Sequence, residues 1–184
     1  MTTRLITPPA ALAVSLAAAR SAARVDVDVD GTSALDAQIT QAIRTYTAKA
    51  EHITGRRFIT QTWSLTLDSF PGVIPLPGAP LASVAYVKYY DAAGVQQTLA
   101  QSAYIVDPAT EPGRIVPVTT WPTTAARVSA VEVQYVCGYG AADTAVPDAV
   151  KGYILAMVQL QFAPVATARP ENIERLLDRE KVYL

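Results

Sequence analysis

Asp26, Asp28 and Asp30 alternate with valines and are followed by Gly31, which matches the first half of a calcium loop. In such a loop, oxygens at positions 1, 3 and 5 wrap a hard cation and a glycine at position 6 makes the sharp turn. The second half departs from the pattern. The twelfth position, where a bidentate glutamate closes the shell, is Ala37, the apolar eighth position is Ser33, and Asp36 falls one residue early. Two readings stand: a calcium-stabilised module with Asp26, Asp28 and Asp30 as weak ligands, or a solvated acidic connector whose Asp30 or Ser33 caps the helix that follows.

The remaining reactive side chains are sparse. His52 is the sole histidine and Cys137 the sole cysteine, which excludes multi-histidine metal sites and an internal disulfide. A general base needs a nucleophile within reach, and no serine or cysteine stands in a recognisable elbow or dyad. His52, Arg56 and Arg57 cluster where positive charge favours a helix C-terminus. Gly138 and Gly140 make only a Gly-x-Gly with no Walker lysine, and so read as turn residues. Arg44, Lys49, Arg56 and Arg57 are candidates for phosphate contact, but no basic stripe extends them. Trp63, Trp121 and the tyrosines form either a ligand or glycan platform or core and interface anchors. No catalytic residue and no cofactor is assigned.

Elements must position whatever chemistry exists. The 184 residues are 51% hydrophobic and 17% charged, with a net charge of -1, enough apolar surface for a sizeable core. That charge argues against gripping nucleic acid by phosphate neutralisation. Alanine supplies 32 residues, and alanine both favours helices and lets surfaces approach closely. Met1 to Val25 imitates a secretion signal, but Pro8 and Pro9 interrupt its apolar stretch and charged residues follow.

Periodicity predicts a first helix from Pro8–Pro9 to about Ala23. A second, with Leu35, Ile39, Ala42, Ile43, Tyr46, Ala50 and Ile53 on one stripe, is capped by Ser33 and ended by Gly55. From Phe58 the period changes to two. Strands are expected over 63–67, 83–90, 95–99, 104–107, 114–116 and 131–135, with the prolines at 75, 77 and 80 marking an edge or irregular connection. Helical spacing returns after Pro147, stops at Pro164, and resumes after Pro170 with Ile173, Leu176, Leu177 and Leu184 on one side. The fold class expected is α+β: a helical bundle of two N-terminal and two C-terminal helices with a β-rich antiparallel insertion in the middle. Its parts are 1–57, 58–140 and 141–184.

Several segments have a familiar wording. Leu35 to Arg57 with Ala50-Glu51-His52-Ile53-Thr54-Gly55-Arg56, then Gln61-Thr62-Trp63 through Phe70-Pro71, then Ile74-Pro75-Leu76-Pro77, Pro80 to Val84, Tyr89-Tyr90-Asp91, Trp121-Pro122 and Val146-Pro147 together resemble the head-tail connector (adaptor or head-completion) proteins of tailed bacteriophages. The resemblance covers about Leu5 to Leu160. It implies a non-enzymatic virion protein without cofactors, present in the host cytoplasm during assembly and then at the head-tail interface. Such a protein forms a homo-oligomeric ring, commonly of twelve subunits, between the portal protein and the tail-completion or stopper protein. DNA passes through the ring's channel without sequence-specific binding, and no membrane is involved. The resemblance also implies that the C-terminal segment reaches the portal, with Arg175, Leu176, Arg179, Val182, Tyr183 and Leu184 as candidate contacts. Near-neutral or acidic walls suit a channel through which DNA slides, since fixed phosphate contacts would retard it.

The incomplete calcium pattern has a direct check. Without a closing carboxylate, the melting temperature is expected to be the same in millimolar calcium and in excess chelator, by differential scanning fluorimetry; a rise of several degrees with calcium would establish the metal reading.

Overall fold

The computed structural model describes residues 1–29, 31–163 and 170–182. Residues divide into two compact units, 1–9 with 60–139 and 182–184, and 10–59 with 140–181.

The first unit is β-rich, with one 3-10 turn at Gln101–Ala103. Its strands are β1 (Thr2–Thr7), β2 (Gln61–Leu67), β3 (Ile74–Leu76), β4 (Leu81–Tyr90), β5 (Gln96–Thr98), β6 (Tyr104–Asp107), β7 (Gly113–Pro117) and β8 (Val131–Cys137). They form two antiparallel sheets, of order β1-β2-β8-β4-β5 and β3-β7-β6. The middle strand β8 pairs without interruption with β2, from Gln61 opposite Cys137 to Leu67 opposite Val131. On its other side it pairs with β4, which carries two irregularities, at Leu81–Ser83 and Val84–Tyr86. The proline-bearing β3 lies at a sheet edge, where a missing N–H costs no ladder bond.

Alternation gives each sheet one apolar face. Leu65, Leu67, Val84, Val87, Val131, Val133 and Tyr135 of the larger sheet share a buried core with Ile74, Leu76, Tyr104 and Ile115 of the smaller. Gly113 sits where a Cβ would meet the Leu81 Cβ at 2.6 Å, so the two chains approach there only because the side chain is absent. Phe70 stacks on Trp121 with ring centroids 4.7 Å apart and planes 5° apart, and the Trp121 indole donates to the Gly72 carbonyl at 3.3 Å.

The strand at Thr2–Thr7 precedes the helix expected from Pro8 onward. Thr, Ile and Leu dominate that hexapeptide, and β-branched side chains favour a pleated surface. The helix starts later than expected: α1 spans Leu16–Ala23, and Ser15 caps it by accepting the Ala18 N–H at 3.2 Å.

The second unit is helical, from α1 with α2 (Asp36–Thr54), α3 (Asp148–Phe162) and α4 (Pro170–Glu174), the last continuing as a 3-10 turn over Arg175–Glu180. The expected stripe of α3 is wholly buried: Val150, Tyr153, Ile154, Met157 and Val158. It packs with Ala19, Ile39, Ala42, Ile43, Ala50 and Phe58 among the buried residues of the unit. Gly55 ends α2 in the left-handed conformation at φ 71°, its N–H donating to the Glu51 carbonyl at 3.0 Å. Ser33 does not occupy the cap position, which falls to Leu35. The Asp36 carboxylate accepts the Ser33 N–H instead, at 3.0 Å. Of the last segment, Leu177 is buried and Leu176 is exposed; Tyr183, Leu184 and the expected stop at Pro164 lie outside the described residues.

Arg20 joins α1 to α2. Its Nε donates to Asp36 Oδ1 at 2.6 Å, a second guanidinium nitrogen reaches the other carboxylate oxygen, and Nη1 reaches the Gly31 carbonyl at 2.9 Å. The hydrogen bond from Arg20 holds the Asp36 carboxyl below the ordinary carboxylate range, and the same pair raises the arginine. A lowered carboxyl adds stability that is complete above its unfolded value, about 3.9, and disappears as the pH falls through the folded value. The stability difference between the wild type and Asp36→Asn, from denaturant titrations, is therefore expected to be constant from about pH 5 to 7 and to shrink below about pH 4.

Candidate functional site

On the outer face of the five-stranded sheet the alternation places Thr2 and Arg4 of β1, Ser64 and Thr66 of β2, Glu132 of β8, and Lys88 of β4 along one groove of about 400 Å³. Register sets the rows. Thr2 lies opposite Thr66, Thr66 opposite Glu132, and Glu132 opposite Lys88. Arg4 lies opposite Ser64 in the next row. Tyr90, Gln96, Arg127 and Ser129 complete the rim.

Hydroxyls hold the central carboxylate. Ser64 Oγ donates to Glu132 Oε1 at 3.1 Å and the Tyr86 phenol donates to the same oxygen at 3.2 Å. Burial, and then the neighbouring Glu132 charge, push the Tyr86 phenol above its ordinary value, so it remains a donor. Two of the cations are positioned on aromatic faces. Lys88 Nζ is 4.4 Å from the centroid of Tyr86, and the Arg127 guanidinium carbon 3.9 Å from that of Tyr90. Aromatic faces attract cations and limit their freedom without neutralising them. The groove is thus a polar surface carrying three cations and one hydrogen-bonded carboxylate.

The residues singled out in the sequence are scattered. Asp26 and Asp28 are exposed, and Asp30 lies outside the described residues. Among those residues no three His, Cys, Asp or Glu side chains stand close enough to hold a metal ion. His52 is exposed near the end of α2. Arg44 is exposed, whereas Lys49 pairs with Glu174 at 2.6 Å and links α2 to α4. Arg56 is buried and donates to the Glu180 carbonyl at 2.6 Å, holding the C-terminal turn; Arg57 donates to the Arg56 carbonyl at 2.9 Å. Gly138 takes a φ of 124°, and its N–H meets the Pro80 carbonyl at 3.0 Å, a turn role. Trp63 and Trp121 are half-buried, packed against the β core. Arg175, Leu176 and Arg179 are exposed, and Val182 is half-buried.

Sequence reasoning missed the groove. Ser64, Thr66, Glu132 and Gln134 were legible as the polar half of an alternation, but the third dimension needed β1, which brings Arg4 alongside.

No family profile and no curated protein sequence matches the chain. Solved structures do match over its whole length. A chain from the neck of an empty gene transfer agent particle, computed with C6 symmetry, aligns with a TM-score of 0.84 at 23% identity, covering 100% of this chain and 97% of that one. A chain of the native gene transfer agent virion gives 0.81 at 24% identity, and one from the native particle's neck, computed with C12 symmetry, gives 0.74 at 23%, each with the same coverage. The chain has their fold. At this identity the likeness speaks for the fold and not for any particular side chain.

Cys137 is buried, its thiol donating to the Gln61 carbonyl at 3.9 Å. A structural thiol of this kind is inert while the strand pair is closed. Intact-mass analysis is expected to find no alkylation of the native protein by iodoacetamide over an hour at neutral pH, and complete single alkylation in denaturant.

Proposed function

We propose that the protein is a structural neck component of a phage-like particle: a head-tail adaptor that forms a homo-oligomeric ring between portal and tail-completion proteins, around the DNA channel. The observation that carries this reading is the end-to-end fold match to a chain from a gene transfer agent neck. The sequence resemblance to head-tail connectors supports it independently, because it rests on the wording of segments and not on coordinates. The C6 and C12 symmetries of the matched necks are consistent with a ring. A ring of one protein uses heterologous contacts that close by rotation. A helical unit and a β unit in one chain offer two unlike surfaces for such contacts.

Under this reading the C-terminal turn docks on the portal through Arg175, Leu176 and Arg179, with Val182, Tyr183 and Leu184 extending the contact. The packing of Leu177, the Lys49–Glu174 pair and the Arg56 bond to Glu180 hold that turn on the helical unit. Removing the whole segment would therefore damage the fold, and point changes give the cleaner test.

The wild type is expected to add a ring to purified portal complex in negative-stain images. Arg175→Glu with Arg179→Glu is expected to weaken binding to portal at least about tenfold while leaving the melting temperature unchanged, because exposed charges contribute little to folding but much to docking. A wild-type chain that binds no portal complex would count against the adaptor reading. Portal binding unchanged in the double variant would move the contact elsewhere.

A further inference from the structure

The groove on the β unit gathers three cations around a single carboxylate. None of Arg4, Lys88 and Arg127 has an ion-pair partner among the described residues. The carboxylate within the groove, Glu132, is taken up by the Ser64 and Tyr86 hydroxyls. Three unpaired cations, two of them held over aromatic rings, are prepared for an anionic partner in a chain whose net charge is -1.

The helical unit carries the complement. Asp26, Val27, Asp28 and Val29 are all exposed, the two valines at 50% and 110%. Neither Asp26 nor Asp28 has a side-chain partner among the described residues. The loop is nonetheless shaped: the Asp28 N–H donates to the Thr32 carbonyl at 2.8 Å, the Gly31 N–H donates to the Asp28 carbonyl at 2.9 Å, and Gly31 takes a φ of +78° that favours glycine. It is an acid-bearing projection with apolar side chains at its tip.

We propose that the Asp26–Val29 loop of one copy seats in the Arg4–Lys88–Arg127 groove of the next. A projection and a groove on one chain are the two unlike surfaces that a head-to-tail contact requires, and every copy offers both. Charge fixes the pairing, with the two aspartates facing the three cations. A short segment with two or three carboxylates suits this groove better than a DNA backbone. Glu132 at its centre repels a continuous run of phosphates, and three cations neutralise too few of them for firm binding. The proposal rests on the homo-oligomeric reading above and adds the residues that join neighbours.

The test uses the full-length chain, isotope-labelled for NMR, titrated with a capped peptide of residues 25–33. The peptide is expected to shift amides around Arg4, Ser64, Lys88 and Glu132. A peptide with its aspartates changed to asparagine should bind at least about tenfold more weakly. Lys88→Gln with Arg127→Gln should weaken the native peptide to a similar degree, and an unchanged amide spectrum away from the groove would show that this variant is folded. Equal binding of the neutral peptide, shifts confined to other surfaces, or no shifts at millimolar peptide would each overturn the proposal. So would tighter binding of a short DNA duplex at the same amides, which would make the groove a phosphate site. Ring formation on the portal is measured separately and can fail without altering this titration, so the two readings fail independently.

Discussion

Strand β8 is hydrogen-bonded on both sides, and its side chains alternate without exception between a buried apolar set, Val131, Val133, Tyr135 and Cys137, and a polar or half-exposed set between them. A slip of one residue would carry every one of these to the wrong face. Because β2 and β4 take their register from β8, the same alternation decides which of their residues enter the core and which reach the outer face. The position of Glu132 between Thr66 and Lys88 is thus a consequence of where Val131 and Val133 are buried. Core and groove are two sides of one constraint.

The helical unit is organised differently. The apolar stripe of α3 is wholly buried, and small side chains on the other helices, Ala19, Ala42 and Ala50, let the helices come close. Alanine in this unit is core material as much as surface. Its polar side chains act mainly at joints: Arg20 with Asp36 between α1 and α2, Lys49 with Glu174 between α2 and α4, and Arg56 on the C-terminal turn. Tyr153 is a different case. Its hydroxyl is buried without a hydrogen-bond partner, and burial raises the phenol above its ordinary value. The ring contributes apolar area, and burial favours the neutral hydroxyl.

Much of this was legible in the sequence because the strongest signals were periodic. The stripe on α2, the stripe on α3, and the alternations at 63–67 and 131–135 all fell where the structure has them. Strand β6 matched from Tyr104 to Asp107. What escaped was non-local. Thr2–Thr7 is too short and too mixed to declare itself as a strand; it becomes one by pairing with β2, some sixty residues away in sequence. That the strands divide between two sheets was not legible, because pairing order is not written in alternation. Arg127 carries no periodic signal at all, and only the ring of Tyr90 beneath its guanidinium identifies it. The arginines at 56 and 57, prominent as a pair, separate into a buried tether and a neighbour bonded to its carbonyl.

The chain passes between its two units several times, and the order in which these passes occur has a consequence for synthesis. A ribosome makes α1 and α2 early, but the helix that covers them, α3, begins only at Asp148. By then every strand of the β unit has already been made, since β8 ends at Cys137. Closure of the helical unit is a late event by construction, joining segments separated by the whole length of the β unit, and such distant contacts form slowly. During that interval the half-finished bundle exposes Ile39 and Ile43, whereas the β unit already has all its described strands. The helical unit is where a growing chain depends most on protection from its neighbours, and the alanine-rich, weakly apolar surface of α1 makes that wait less hazardous than a leucine-rich one would be.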